Sequence, residues 1–140
     1  SRGSLPAPDD RALAALVAAA RDAQARAIAP YSHFTVGAAL LLSDGTMATG
    51  CNIENATYGL TMCAERVALF KALSEGHRSF AALAVTASAP QTTPPCGSCR
   101  QLLWEYCGDI PVILQGTSGA TSRTTLGALL PQPFGPDNLK

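Results

Sequence analysis

Two short stretches, Cys63-Ala64-Glu65 and Pro95-Cys96-Gly97-Ser98-Cys99, decide how this 140-residue chain is read. The first sets a carboxylate two residues after a thiol, and the second sets two thiols at C-x-x-C spacing. Helical spacing begins at each: Cys63 to Leu73 through Val67, Phe70 and Leu73, and Cys99 to Tyr106 through Leu102, Leu103 and Tyr106. Gly76 and Gly108 stand just past the ends. An apolar strand follows each helix, Ala81 to Ser88 and then Pro111 to Gln115. The thiols therefore open the helices of two successive crossover units, whose strands should run parallel and side by side.

Upstream, Asp9-Asp10 opens an amphipathic helix with Leu13, Leu16, Val17 and Ala20 on one face, ended by Pro30 at the latest. Val36 to Leu42 is a continuous apolar strand, Ser43-Asp44-Gly45-Thr46 a hairpin turn, and Met47 to Cys51 the returning partner. Asn52 to Thr61 reads as a loop, as does Ala89 to Pro95 with Pro90, Pro94 and Pro95. A brief helix from Leu126 to Leu130 precedes a Pro-rich tail. The pattern is an α/β layered domain spanning residues 1–140, with 1–8 expected to be flexible. The opening Ser1-Arg2-Gly3-Ser4, without an initiator Met, reads as a remnant.

Ten basic and ten acidic residues cancel without forming a run of either sign. A protein that tracks a phosphate backbone carries a Lys/Arg stripe, so no nucleic-acid partner is expected and a neutral small molecule is. No apolar stretch reaches the about 18 residues that span a bilayer, and Ala12 to Ala20 has acidic rather than basic flanks on its N-terminal side. The chain reads as soluble and cytoplasmic, with no membrane association. Charged residues make up 14%, against about a quarter in average chains. Either other copies of the chain cover part of its surface, or its many alanines dilute the charge.

The five cysteines are odd in number, which argues against a disulfide framework and leaves metal binding or catalysis for the cluster. Cys63, Cys96 and Cys99 make a thiolate set suited to zinc, and two helix N-termini would converge on it, each favouring thiolate. Arg66 and Arg100 are adjacent and could offset the excess negative charge by hydrogen-bonding to sulfur. Two uses remain open for such a site. A structural zinc is closed by a fourth protein ligand, for which Cys51, Cys107, His33 and His77 are candidates, whereas a catalytic zinc keeps that position for water. Glu65 favours the second use: two residues along a helix start, it can reach the open position without being a ligand and serve as general acid/base. Cys107 reads as a small buried hydrophobe, His33 and His77 as bystanders, and Trp104 as core or interface.

C-x-E followed by P-C-x-x-C is the signature of zinc deaminases. Three further stretches, Pro30-Tyr31-Ser32-His33-Phe34-Thr35-Val36-Gly37, Gly50-Cys51-Asn52-Ile53-Glu54-Asn55-Ala56 and Tyr58 through Arg66, together with Pro95 through Gln101, closely resemble cytidine deaminase in its small, homotetrameric, all-cysteine form. The resemblance runs from about Tyr31 to Phe134, with Thr35 and Ser98 departing from it. It implies a three-layer α-β-α fold on a mixed sheet of about five strands, and one Zn²⁺ per subunit. It also implies a homotetramer with active sites near subunit interfaces. The implied reaction is hydrolytic deamination of cytidine and deoxycytidine to uridine and deoxyuridine: activated water adds at C4, Glu65 carries protons, and ammonia departs. By this likeness Asn52 and Glu54 hold the ribose 3′-hydroxyl and Phe34 packs against the nucleoside. The Ala64 backbone reads the base edge, and Ala56 and Tyr58 approach a neighbouring subunit's substrate. Phe134 stacks on the base across the interface.

Two competing readings stand beside this one. Blasticidin-S-type deaminases share the ligand pattern, and Asn52 with Glu54 is what favours cytidine. A zinc-stapled module without catalysis would need four protein ligands and would tolerate Glu65→Gln.

Overall fold

The alanines of the thiol-bearing helix set its depth against the sheet. In the computed structural model, which describes residues 7–139, the chain runs α1 (Asp10–Gln24), β1 (Val36–Leu42), β2 (Met47–Cys51), α2 (Ala64–Ser74), β3 (Phe80–Ala87), α3 (Gly97–Cys107), β4 (Pro111–Gln115), β5 (Thr121–Thr125) and α4 (Leu126–Leu129). Short 3₁₀ turns lie at Tyr58–Leu60 and Pro136–Leu139. The expectation for residues 1–8 falls mostly outside the described residues.

The strands form one mixed sheet in the order β2-β1-β3-β4-β5. β3 and β4 are parallel neighbours, as two successive crossover units require, and the remaining pairings are antiparallel. The hairpin between β1 and β2 closes over Gly45 at φ 89°, where a left-handed residue is needed, and Asp44 accepts from the Thr46 amide at 2.9 Å.

The central strands are apolar on both faces because both are covered. Ala39, Leu41, Ala82, Ala84 and Ile113 pack under α1, against Leu13, Leu16 and Ala20. Leu40, Leu83, Val85, Val112 and Leu114 pack on the other side against α2 and α3. Helix, sheet and helix pair make three layers. α1 begins where Asp9 caps it, its carboxylate accepting from the Ala12 amide at 2.8 Å.

Two details depart from the sequence reading. The buried face of α2 is Ala64, Glu65, Ala68, Leu69 and Ala72, while Phe70 is 41% exposed. Small residues face the sheet because the helix lies almost on β2: a methyl group at Gly50 would stand 2.6 Å from the Ala64 carbonyl oxygen. That contact brings the first turn of α2 down to the strand end. The second departure is β5, Thr-Ser-Arg-Thr-Thr, a polar edge strand with no apolar alternation to reveal it.

Candidate metal centre

Cys63 and Cys96 occupy the same place on two helices. Each is the N-cap residue, extended at φ −73°, ψ 149° and φ −66°, ψ 164°, and neither side chain caps its own helix. Where Ser, Thr, Asp or Asn would fold back on the helix, these sulfurs turn toward each other. Their Sγ atoms are 4.0 Å apart, and Cys96 Sγ is 3.4 Å from Cys99 Sγ. All three lie within 4.8 Å of one another, and among the described residues no other His, Cys, Asp or Glu joins them. A tetrahedral ion with sulfur at about 2.3 Å sets its sulfurs about 3.8 Å apart, so the donor set fits zinc with one position left for another ligand.

The electrostatics of the cluster favour thiolate at Cys63 and bring the Glu65 carboxyl closer to neutrality. Hydrogen bonding from the Cys99 thiol, reinforced by Arg66, holds Cys63 down at about 5. The same shared hydrogen bond and burial push the Cys99 thiol well up. Arg66 Nη2 stands 3.4 Å from Cys63 Sγ, one helical turn along α2. Glu65 is 5% exposed, and burial, then the charge of Cys63, raises its carboxyl to about 6. A carboxyl at that value exchanges protons readily near neutrality.

Cys63, Ala64 and Glu65 open onto a cavity of about 230 Å³ whose far walls are Phe34, Asn52, Thr93 and Pro94. Five residues singled out in the sequence thus meet there with Cys96 at the rim: Phe34, Asn52, Cys63, Ala64 and Glu65. Val36, Thr61, Met62, Val85, Thr93 and Pro94 also line it; Val36, Thr61 and Met62 fall within the family-like stretches without a role of their own, and no site signal marked Val85, Thr93 or Pro94. A larger groove of about 330 Å³ lies between α1 and the β4–β5 edge, but its lining includes no thiol or imidazole.

Asn52 is engaged with the main chain on both sides of the Phe34–Val36 wall. Its Oδ1 accepts from the Val36 amide at 2.9 Å and its Nδ2 donates to the Phe34 carbonyl at 2.8 Å. Glu54 lies outside the cavity lining and accepts from the Tyr31 and Ser32 amides at 3.1 Å and from the Ser32 hydroxyl. These donors, the Ser32 hydroxyl first, hold its carboxyl below the ordinary range. Ala56 is exposed, and Tyr58 is 71% exposed with its ring edge-on to Tyr31 at 5.5 Å. Phe134 is 55% exposed, its backbone tied to Gln101.

Arg100 does not reach sulfur. One residue past Cys99 it points about 100° around the helix, and its Nε and Nη1 donate to the Pro95 and Leu129 carbonyls at 2.7 and 3.0 Å. Of the other candidate ligands, Cys107 is buried in the core on the α2/α3 side; Trp104, read as core or interface, packs against that same core.

Residues 10–114 match the family described as the cytidine and deoxycytidylate deaminase zinc-binding region. A cytidine deaminase of Sporosarcina psychrophila is 50% identical over 125 residues, 89% of this chain and 92% of its own. The crystal structure of a cytidine deaminase from Burkholderia pseudomallei superposes with a TM-score of 0.82 at 48% identity, over 86% of this chain and 98% of that one. A blasticidin-S deaminase of Bacillus cereus is more distant, 30% identical over 108 residues, 71% of this chain and 76% of its own.

Proposed function

The chain belongs to the cytidine and deoxycytidylate deaminase family, and on that premise we propose that its three-thiol cavity hydrolyses cytidine and deoxycytidine to uridine and deoxyuridine with release of ammonia. The observation that carries this reading is Glu65, buried beside the thiol cluster and opening into the same cavity as Phe34 and Asn52. A carboxylate serving only as a surface residue would not be buried there.

Cys63, Cys96 and Cys99 hold one zinc ion per subunit, which when bound supplies a Lewis acid able to bring the pKa of water to about 7. Glu65 takes up one proton of the attacking water at its carboxylate and delivers it to N3 of the base, then takes up the second from the hydroxyl at C4 and delivers it to the amine, which departs as ammonia. The excess negative charge of three thiolates is offset by Arg66, whose guanidinium already lies on Cys63 Sγ. The Ala64 amide is in the first turn of α2, where N–H groups have no partner within the helix, so it is available to the base edge. Phe34 packs against the nucleoside.

Asn52 and Glu54 hold the ribose 3′-hydroxyl. The Asn52 amide still has one N–H and one lone pair beyond its two backbone bonds. The Glu54 carboxylate, kept ionised, can accept the sugar hydroxyl in place of that of Ser32.

The chain is one catalytic domain working as a homotetramer, with Ala56, Tyr58 and Phe134 directed at a neighbouring copy's site. The low charge content and the exposed Ile28, Tyr31, Ile53, Tyr58 and Leu60 support that assembly. Among the described residues no helix is long and apolar enough to cross a membrane, and the enzyme is assigned to the cytoplasm.

Conversion of cytidine to uridine by the zinc-loaded protein, with blasticidin S in parallel, tests the reading. Turnover of cytidine is expected. Turnover of the antibiotic alone would keep the chemistry and move the substrate, and zinc binding without either reaction would return the site to a structural role.

A further inference from the structure

The two residues that follow the last thiol both reach away from the cluster and grip the C-terminal segment. Arg100 donates to the carbonyl of Pro95, the residue before Cys96, and to that of Leu129, the last residue of α4. Gln101 pairs with Phe134 through both ends of its amide: Oε1 accepts from the Phe134 N–H at 3.3 Å, and Nε2 donates to the Phe134 carbonyl.

The composition of the segment explains why a side chain must make this tether. Pro131 and Pro133 stiffen the chain but have no N–H to donate. Phe134 is the first residue after them with a donor, and Gln101 meets it. Bonding both the N–H and the C=O of one residue fixes the orientation of its backbone as well as its position, and so fixes the direction in which the ring leaves. The ring itself is 55% exposed. An amide is the group that can do this, because a carboxylate of the same shape accepts but cannot donate.

Resting on the nucleoside reading above, we propose that Gln101 is a positioning residue for the deaminase site. With Arg100 it straps residues 129–134 to the turn that carries Cys96 and Cys99, and it sets where the Phe134 ring stands. Metal holding and aromatic placement are thereby built on consecutive residues of one helix, and a change at Gln101 alters nucleoside binding rather than the chemical step.

The test compares Gln101→Ala, Gln101→Glu, Phe134→Ala and the Gln101→Ala/Phe134→Ala double variant as zinc-loaded protein, by steady-state kinetics, zinc content and hydrogen exchange. Gln101→Ala is expected to keep one zinc per chain, speed exchange of the Phe134 amide, and raise KM for cytidine about tenfold with kcat within about twofold. Gln101→Glu, which keeps the acceptor and the shape, should fall between it and wild type and guards against a folding defect. The double variant should be no worse than Phe134→Ala. Unchanged KM in Gln101→Ala, a fall in kcat at constant KM, or additive losses in the double variant would each overturn the proposal while wild-type turnover leaves the nucleoside reading standing. Absence of cytidine turnover in the wild type would instead remove that reading, and this proposal with it.

Discussion

The starts of α2 and α3 are alike in backbone and unlike in what surrounds them. Both place a cysteine at the N-cap in extended conformation, and both sulfurs face one cluster. Two residues on, however, α2 carries the buried Glu65 and α3 the exposed Ser98. The arginines divide in the same way: Arg66 turns to sulfur, and Arg100 turns to the Pro95 and Leu129 carbonyls. A shared cap geometry therefore supplies the metal donors, while proton handling and charge balance belong to α2 and mechanical support to α3. The difference follows from packing. α2 lies hard against β2 at Gly50, which buries Ala64 and Glu65; at the start of α3 Gly97 and Ser98 are exposed and Cys99 is buried.

The equal part of the comparison is the one whose loss costs most. Cys63→Ala and Cys96→Ala should each reduce zinc from one per chain to a small fraction, with turnover down by more than about 10³-fold. Metal analysis beside cytidine turnover checks this, and a variant that kept both would show that its helix start is dispensable. The unequal part is tested next: Glu65→Gln should keep zinc and fold while kcat falls by about 10²–10⁴-fold, whereas Ser98→Ala should leave kcat within about twofold.

A smaller effect separates the arginines. Arg66→Gln should weaken zinc about 10–100-fold in a competition titration with a chelator. Arg100→Gln should leave zinc affinity near wild type and instead lower unfolding free energy by about 1.5–3 kcal/mol in a urea titration, the scale of a charged hydrogen bond lost. Equal effects on zinc would erase the distinction drawn here.

The smallest effect concerns the Glu54 carboxyl, in the loop between β2 and α2. Glu54 is held below its ordinary 4.5 by the Ser32 and Tyr31 donors, so its stabilising contribution is present above that value and fades as pH falls through the lowered one. The Tm difference between wild type and Glu54→Gln should accordingly be flat from neutral pH to about 5.5 and shrink below about 4.5. A difference that grew on acidification would mean that Glu54 is not the acceptor of those bonds.

Much of this was legible along the chain. Thiol spacing and the carboxylate beside Cys63 identified the cluster, and helical period placed the elements that carry it. The hairpin was written in Asp44-Gly45, because few residues other than glycine take its left-handed turn. Arg100 stands next to Cys99 in sequence but does not reach sulfur, because each residue of a helix turns about 100° from the last and adjacency therefore points it elsewhere. Strand β5 left no mark because an edge strand facing water needs no apolar alternation. The walls at Thr93 and Pro94, and the grip of Gln101 on Phe134, join segments far apart in the chain that share no local pattern.

Residue type and spacing alone thus settled the chemistry available: three thiols, one carboxylate, and two helix starts to present them. Both signals are local, since a donor atom and a helical period are properties of a few neighbouring residues. Which carboxylate is buried, which arginine meets sulfur, and where the tail is tied were left to the fold. Burial and hydrogen-bond partners are set by whatever packs alongside, and only the closing of α2 and α3 onto one face of the sheet brought those partners together.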